Sequence, residues 1–206
     1  MPVKAQFPEE QSEAGEFERQ EDAFRDFVSI DGSTPYPAMA GRYHLYISLA
    51  CPWASRTLIV RMLMGLEDAV GMTVVDPVRD ERGWAFRDGP GYSRDPINGF
   101  AFLSEAYVAT GSELRWSRYR AGLVGQRNPP NCQQLQRMTS AGCLTMLSAS
   151  FGNRSVDLFP KNLEADQAKL SVFVYEYVNN RVYRAGFAST QPAYEEELSR
   201  TILRAR

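Results

Sequence analysis

Cys51 and Pro52 stand between RYHLYISL, a run rich in aromatic and branched residues, and SRTLIVRMLMG, where apolar residues recur at helical spacing. The first run predicts a strand over Tyr43–Ile47. Pro52 suits the first position of the following helix, where its missing N–H costs nothing. A cysteine at that junction faces unpaired helix N–H groups at the positive end of the dipole, and both favour thiolate over thiol. The fourth position of a C-P-x-C pair is Ala54 here, so Cys51 has no resolving cysteine beside it. Such a thiolate takes and gives up one small thiol but cannot close its own disulfide. Glutathione matches that chemistry. The alternative is that Cys51 is a small buried hydrophobe.

The elements that must hold this junction follow from the flanking pattern. Leu58, Ile59, Met62 and Leu63 are expected to form the buried face of the helix, which ends near Gly65. A second strand is expected over Met72–Val75, closing at Asp76-Pro77 and completing a β-α-β opening. Residues 78–109 carry GWAF (Gly83–Phe86), a loop rich in Gly, Pro and Asp, and an amphipathic stretch from Gly99 to Val108. Residues 163–187 predict a helix with Leu170, Phe173, Val174, Tyr177 and Val178 on one face and its exit at Asn179-Asn180. A last helix is expected to start near Gln191–Glu197 with an acidic first turn. It leaves Leu198, Ile202 and Leu203 in need of a partner, so the chain is expected to be truncated there.

Composition narrows the function. The 206 residues are 44% hydrophobic and 23% charged, with a net charge of −2, enough for one or two domains with a core. That balance gives no footprint for nucleic acid. No apolar run approaches the ~20 residues of a membrane helix, and the acidic N-terminus is not a secretory signal, so the cytoplasm is the expected compartment. His44 is the one histidine and lies mid-strand, which excludes zinc sites built on several histidines and implies a structural role. No metal is expected. Cys51, Cys132 and Cys143 are an odd set without C-x-x-C spacing, so no disulfide framework is expected.

Three blocks, in order, carry a resemblance: RYHLYISLACPWASRTLIVRMLMGLEDAV, GWAF, and VNNRVYRAGFASTQPAYEEE. Together they resemble the glutathionyl-hydroquinone reductases, the Xi-type branch of the glutathione transferases. The resemblance implies an α/β thioredoxin-like N-terminal domain followed by the start of an all-α glutathione-transferase C-terminal domain. It implies that Cys51 attacks the glutathionyl sulfur of a quinone conjugate and holds glutathione as a mixed disulfide. Trp84 would contact the bound glutathione, where otherwise it would be a core residue. Tyr183 would face the quinone and protonate or orient its ring. Glutathione is the implied cosubstrate, small aromatic quinone conjugates the implied substrates, and a homodimer the implied assembly. The expected domains are an arm over 1–35, the glutathione-binding domain over 36–155 and an incomplete helical domain over 156–206.

Residues 111–155 break the pattern. They hold six arginines, no lysine and only Glu113 as an acid, a net of +5 in a chain that is otherwise −7. The resemblance calls for a TVPVLWD-like strand here, whose proline presents backbone to glutathione, and for a helix start that holds its γ-glutamyl carboxylate. Codons able to encode GSELRWSRYRAGLVG permit DPSYGGRVTVPVLWD when read one base later, and RMTSAGCLTM permits DDICRMFND one base later again. The segment is therefore expected to be a displaced reading frame that has lost the strand and the anion-holding helix start. Cys132, Cys143, Arg118, Arg120 and Arg127 are then accidents of frame. Two further readings follow. One is an inactive remnant or non-catalytic binding protein of the same family. The other is a deglutathionylase of protein substrates, against which GWAF and VYRAGF argue.

Overall fold

The computed structural model describes residues 11–18, 28–80, 82–109, 123–126, 150–153, 155–158 and 160–204. The chain divides into two units, Asp22–Asp157 on one side and Met1–Glu21 with Leu158–Arg206 on the other. The arm expected over 1–35 is thus shared between them.

In the first unit, β1 (Val28–Ser29) pairs in parallel with β2 (Tyr36–Pro37), and the main sheet is built on β3 (Tyr43–Ile47). β3 runs parallel to β4 (Val70–Val74), from Tyr43 against Val70 to Ile47 against Val74. The helix α1 (Pro52–Leu63) connects them, as a parallel pair requires. All five residues of β3 are buried, which fits a central strand covered on both faces. His44 is among them and shares a 2.8 Å hydrogen bond with Thr73 on β4, so its expected structural role holds.

On the other side of β3 lies β5 (Leu123–Gln126), antiparallel to it. This corrects the expectation that segment 111–155 leaves the sheet without a strand. Four residues, Leu-Val-Gly-Gln, suffice to pair along β3 from Tyr46 to Tyr43. The strand contains no proline. Cys132, Cys143, Arg118, Arg120 and Arg127 lie outside the described residues.

The face that α1 buries also differs from expectation. Ile59 and Met62 are more than half exposed, at 54% and 59%, and Leu63 is exposed as well. Ala54, Thr57, Arg61 and Met64 point inward instead, at the spacing of one helical stripe. The reason is polar. Arg61 donates through Nε to the Val70 carbonyl at 2.8 Å and through Nη2 to the Glu67 carbonyl at 3.1 Å, closing the turn between α1 and β4. Burial pushes its guanidinium below its ordinary pKa, and the charges of Glu67 and Asp68 oppose that shift.

After β4 the chain forms an irregular segment and then α2 (Leu103–Val108), which buries Leu103, Ala106 and Tyr107. The amphipathic pattern expected from Gly99 becomes helical only at Leu103.

The second unit is helical. A 3₁₀ turn (Lys161–Leu163) leads into α3 (Glu164–Val174), a π-helical turn (Tyr175–Asn179) and α4 (Asn180–Gly186). The helix therefore continues through the expected exit at Asn179-Asn180, and Asn180 is buried within it. α5 (Gln191–Arg204) follows, with no acid in its first turn, since Glu195–Glu197 fall one turn later. Arg181 on α4 and Glu197 on α5 form a buried 3.3 Å ion pair that joins the two helices. The apolar face predicted over 163–187 is largely exposed, with Leu170 and Phe173 on α3 and Val178 in the π-helical turn uncovered. Among the described residues, no helix is long and apolar enough to cross a membrane.

The N-terminal arm belongs to this helical unit through residues 11–18. Phe17 is buried with its ring 5.3 Å from that of Phe187. Ser189 donates its amide to the Gly15 carbonyl at 2.9 Å, and Thr190 Oγ1 donates to the Ala14 carbonyl at 2.8 Å.

Candidate active site

β3 delivers Cys51. After Ile47 the chain turns, with the Cys51 amide donating to the Ser48 carbonyl at 3.1 Å. Cys51 is the N-cap of α1, in an extended conformation, with Pro52 in the first turn as expected. Its carbonyl accepts the amides of Ala54 at 3.0 Å and Ser55 at 3.2 Å, together with the Ser55 hydroxyl at 3.3 Å. Three bonds on one carbonyl fix the backbone that carries the thiol. The side chain is half-buried and in no disulfide. The residue is thus partly exposed and sits at the N-terminus of the helix.

GWAF reaches the same end of the sheet through a short ladder. The Val75 amide donates to the Ile47 carbonyl at 2.9 Å, and the next amide, that of Asp76, donates to the Ala85 carbonyl at 2.9 Å. Trp84 therefore stands beside the C-terminal ends of β3 and β4, where β3 turns into Cys51. Gly83 begins the block with φ +103°, a conformation that side chains resist, and closes a tight turn with Asp80 through two mutual backbone bonds. On the other side, the Trp84 carbonyl accepts from the Leu103 amide at 2.8 Å and the Phe86 amide donates to the Ala101 carbonyl at 2.9 Å. Ala85 and Phe86 are buried and Trp84 is half-buried, so the indole is the member of the block with surface to offer.

Charged groups frame this turn. Arg87 Nη1 donates to Asp76 at 3.2 Å and its Nη2 to Asp80 at 3.2 Å, while Arg82 donates to Asp80 at 2.9 Å. The Arg82 hydrogen bond, ahead of other causes, holds the Asp80 carboxyl below its ordinary pKa. These pairs brace the turn. Among the described residues no group of His, Cys, Asp and Glu is placed to hold a metal ion.

Tyr183 belongs to the helical unit, half-buried on α4. Its ring lies 5.6 Å from that of Phe187, and its carbonyl accepts the Phe187 amide at 2.9 Å. The structure thus brings Cys51 and Trp84 to one end of one sheet and sets Tyr183 in the other unit.

Sequence reasoning passed over Asp95. It is buried, and its carboxylate organises the loop between GWAF and α2. Its signal was present in D-P-I-N, an Asp-Pro turn in which the acid bonds to amides just downstream.

No family model matches the chain. It is 36% identical over 200 residues to the glutathionyl-hydroquinone reductase YqjG of Escherichia coli K12, covering 92% of this chain and 60% of that protein. Its fold is similar to the crystal structure of the glutathione S-transferase Xi from Phanerochaete chrysosporium, with a TM-score of 0.86 and 32% identity, covering 94% of this chain and 63% of that one. It is also similar to the glutathione-bound structure of E. coli YqjG, with a TM-score of 0.80 and 32% identity, covering 90% of this chain and 62% of that one. The chain spans about 60% of the length of the curated relatives it matches.

Proposed function

We propose, from the premise that this chain belongs to the glutathionyl-hydroquinone reductase or Xi-class glutathione transferase family, that it is a glutathione-dependent thiol transferase with Cys51 as nucleophile. The observation that carries the reading is the placement of Cys51 at the N-cap of α1, with the Trp84 segment hydrogen-bonded at the same end of the sheet. The proposed substrates are glutathionyl-hydroquinones and related small aromatic conjugates, with glutathione as cosubstrate.

In the proposed first step the Cys51 thiolate attacks the glutathionyl sulfur. A Cys51–glutathione disulfide forms, the sulfur–aryl bond breaks, and the ring leaves with the electron pair and takes up a proton. Tyr183 is the proposed donor or orienting group for that ring. A second glutathione thiolate then attacks the mixed disulfide, which releases oxidised glutathione and returns Cys51 as thiolate. One aryl conjugate is reduced and two glutathione sulfurs are oxidised, so electrons balance. Trp84 is proposed to contact the bound glutathione. The proposed glutathione-binding domain is 36–155, followed by an incomplete helical C-terminal domain over 156–206. A homodimer is the proposed assembly and the cytoplasm the proposed compartment.

The test is a mass measurement on the protein after exposure to glutathione disulfide. Uptake of one glutathione at Cys51, absent in Cys51→Ser, supports the reading. A second reading, a non-catalytic binding protein of the same family, draws on the exposed apolar residues of α3. It expects no uptake at Cys51.

A further inference from the structure

We propose that Asp95 and Tyr46 are the positioning pair for Trp84, and thereby set how tightly the site holds glutathione. The proposal rests on the assignment of Trp84 to glutathione. Asp95 is a buried carboxylate in an otherwise exposed Gly- and Pro-rich loop, and a buried charge survives only if its lone pairs are filled. Four donors fill them. Tyr46 donates its hydroxyl at 2.8 Å, and the amides of Ile97, Asn98 and Phe100 donate at 3.0, 3.2 and 3.2 Å. Bonds to a carboxylate are stronger than neutral ones, so this set is a firm anchor.

What it anchors is the backbone beneath Trp84. The amides held by Asp95 immediately precede Ala101–Leu103, the strip to which Trp84 and Phe86 are bonded. Ala85 pairs with Phe102 as an antiparallel bridge between those bonds. Tyr46 acts on both sides of the strip. Its oxygen accepts from Asn98 Nδ2 at 2.8 Å, and its ring meets that of Phe86 edge-on at 5.1 Å. Tyr46 is one residue from the end of β3, the strand that turns into Cys51. The strand that leads into the thiol thus also holds the tryptophan segment, through Tyr46 and Asp95. The orientation of a half-buried indole on irregular backbone depends on such a clamp, whereas Cys51 is fixed independently by its own carbonyl bonds.

The experiment follows glutathionylation of Cys51 in the full chain as a function of glutathione disulfide concentration, by mass spectrometry, in Tyr46→Phe, Asp95→Asn and Trp84→Ala. Tyr46→Phe removes one oxygen and keeps the ring. It is expected to raise the half-saturating concentration about fivefold, with a plateau rate within about twofold of the parent. Asp95→Asn is expected to raise it further. The rate of Cys51 alkylation by iodoacetamide is expected to stay unchanged in both, which a general loosening of the fold would not allow. A raised half-saturation in Trp84→Ala with none in Tyr46→Phe and Asp95→Asn overturns the positioning role alone. No change in Trp84→Ala overturns the glutathione assignment of Trp84, and the positioning role with it.

Discussion

The Val75 amide donates to the Ile47 carbonyl at 2.9 Å, one rung past the last paired residues of β3 and β4. That rung lets the next residue, Asp76, bond to Ala85 and so seats Trp84 at the Cys51 end of the sheet. Trp84→Ala is therefore expected to weaken glutathione binding roughly tenfold, about 1.4 kcal/mol, without unfolding the unit. Calorimetric titration with glutathione checks this, and an unchanged affinity would contradict it.

Gly83 makes the same segment vulnerable through its backbone. At φ +103° a Cβ meets no neighbour but is strained by the conformation itself. Gly83→Ala is expected to cost about 1–2 kcal/mol in urea unfolding of the chain. A neutral result would mean that the turn relaxes freely and does not fix Trp84.

Phe17 ties the arm to the helical unit through Phe187, which in turn meets Tyr183. Phe17→Ala removes a buried ring and is expected to destabilise that unit by about 3–5 kcal/mol. Gly15→Ala is expected to loosen the same contact, because a Cβ there would stand 2.5 Å from Thr190 Cγ2. Thermal unfolding of both variants tests this. A parent-like melting temperature for Phe17→Ala would show that the arm does not support the helices.

Asp80 gives a pH dependence whose sign is set by its lowered carboxyl pKa, caused first by the Arg82 hydrogen bond. A carboxyl that is more acidic folded than unfolded adds stability above its unfolded pKa, near ~4, and loses it as pH falls through the folded value. Asp80→Asn is therefore expected to flatten the acid side of the stability curve and to change little at neutral pH beyond the lost ion pairs. Both partners are partly exposed, so the effect is small. An unchanged acid limb would contradict it.

The β-α-β opening was legible in sequence because each local choice agreed: aromatic and branched residues in β3, then Cys51, then a proline where a helix can begin. α1's inward face was not, because it includes Thr57 and Arg61 while the apolar Ile59, Met62 and Leu63 face outward, the reverse of what periodicity predicts. The carbonyls of Glu67 and Val70, which draw Arg61 inward, belong to a turn that periodicity does not reveal. The Asn179-Asn180 pair has the composition of a helix end, yet Asn180 is buried in a helix that runs on through a π-helical turn. The Trp84 ladder and the Asp95 clamp depend on bonds between residues far apart in the chain, as between Tyr46 and Asp95, and no local pattern encodes them.

Segment 111–155 carries its own prediction at the level of the gene product. If it is a displaced reading frame, a peptide map of the protein from its source cells will contain VTVPVLWD-like peptides between Thr110 and Val156. Recovery of AGLVGQR, Ala121 to Arg127, would contradict that account and establish the written chain as the one made.

The most direct measurement is the fate of Cys51 after one turnover without free glutathione. The protein would be mixed with a glutathionyl-hydroquinone, quenched in acid and mapped by mass spectrometry. One glutathione on Cys51, matched by one released hydroquinone and abolished in Cys51→Ser, is the expected result. No adduct, or an adduct that persists in Cys51→Ser, would contradict the assignment of Cys51 as nucleophile.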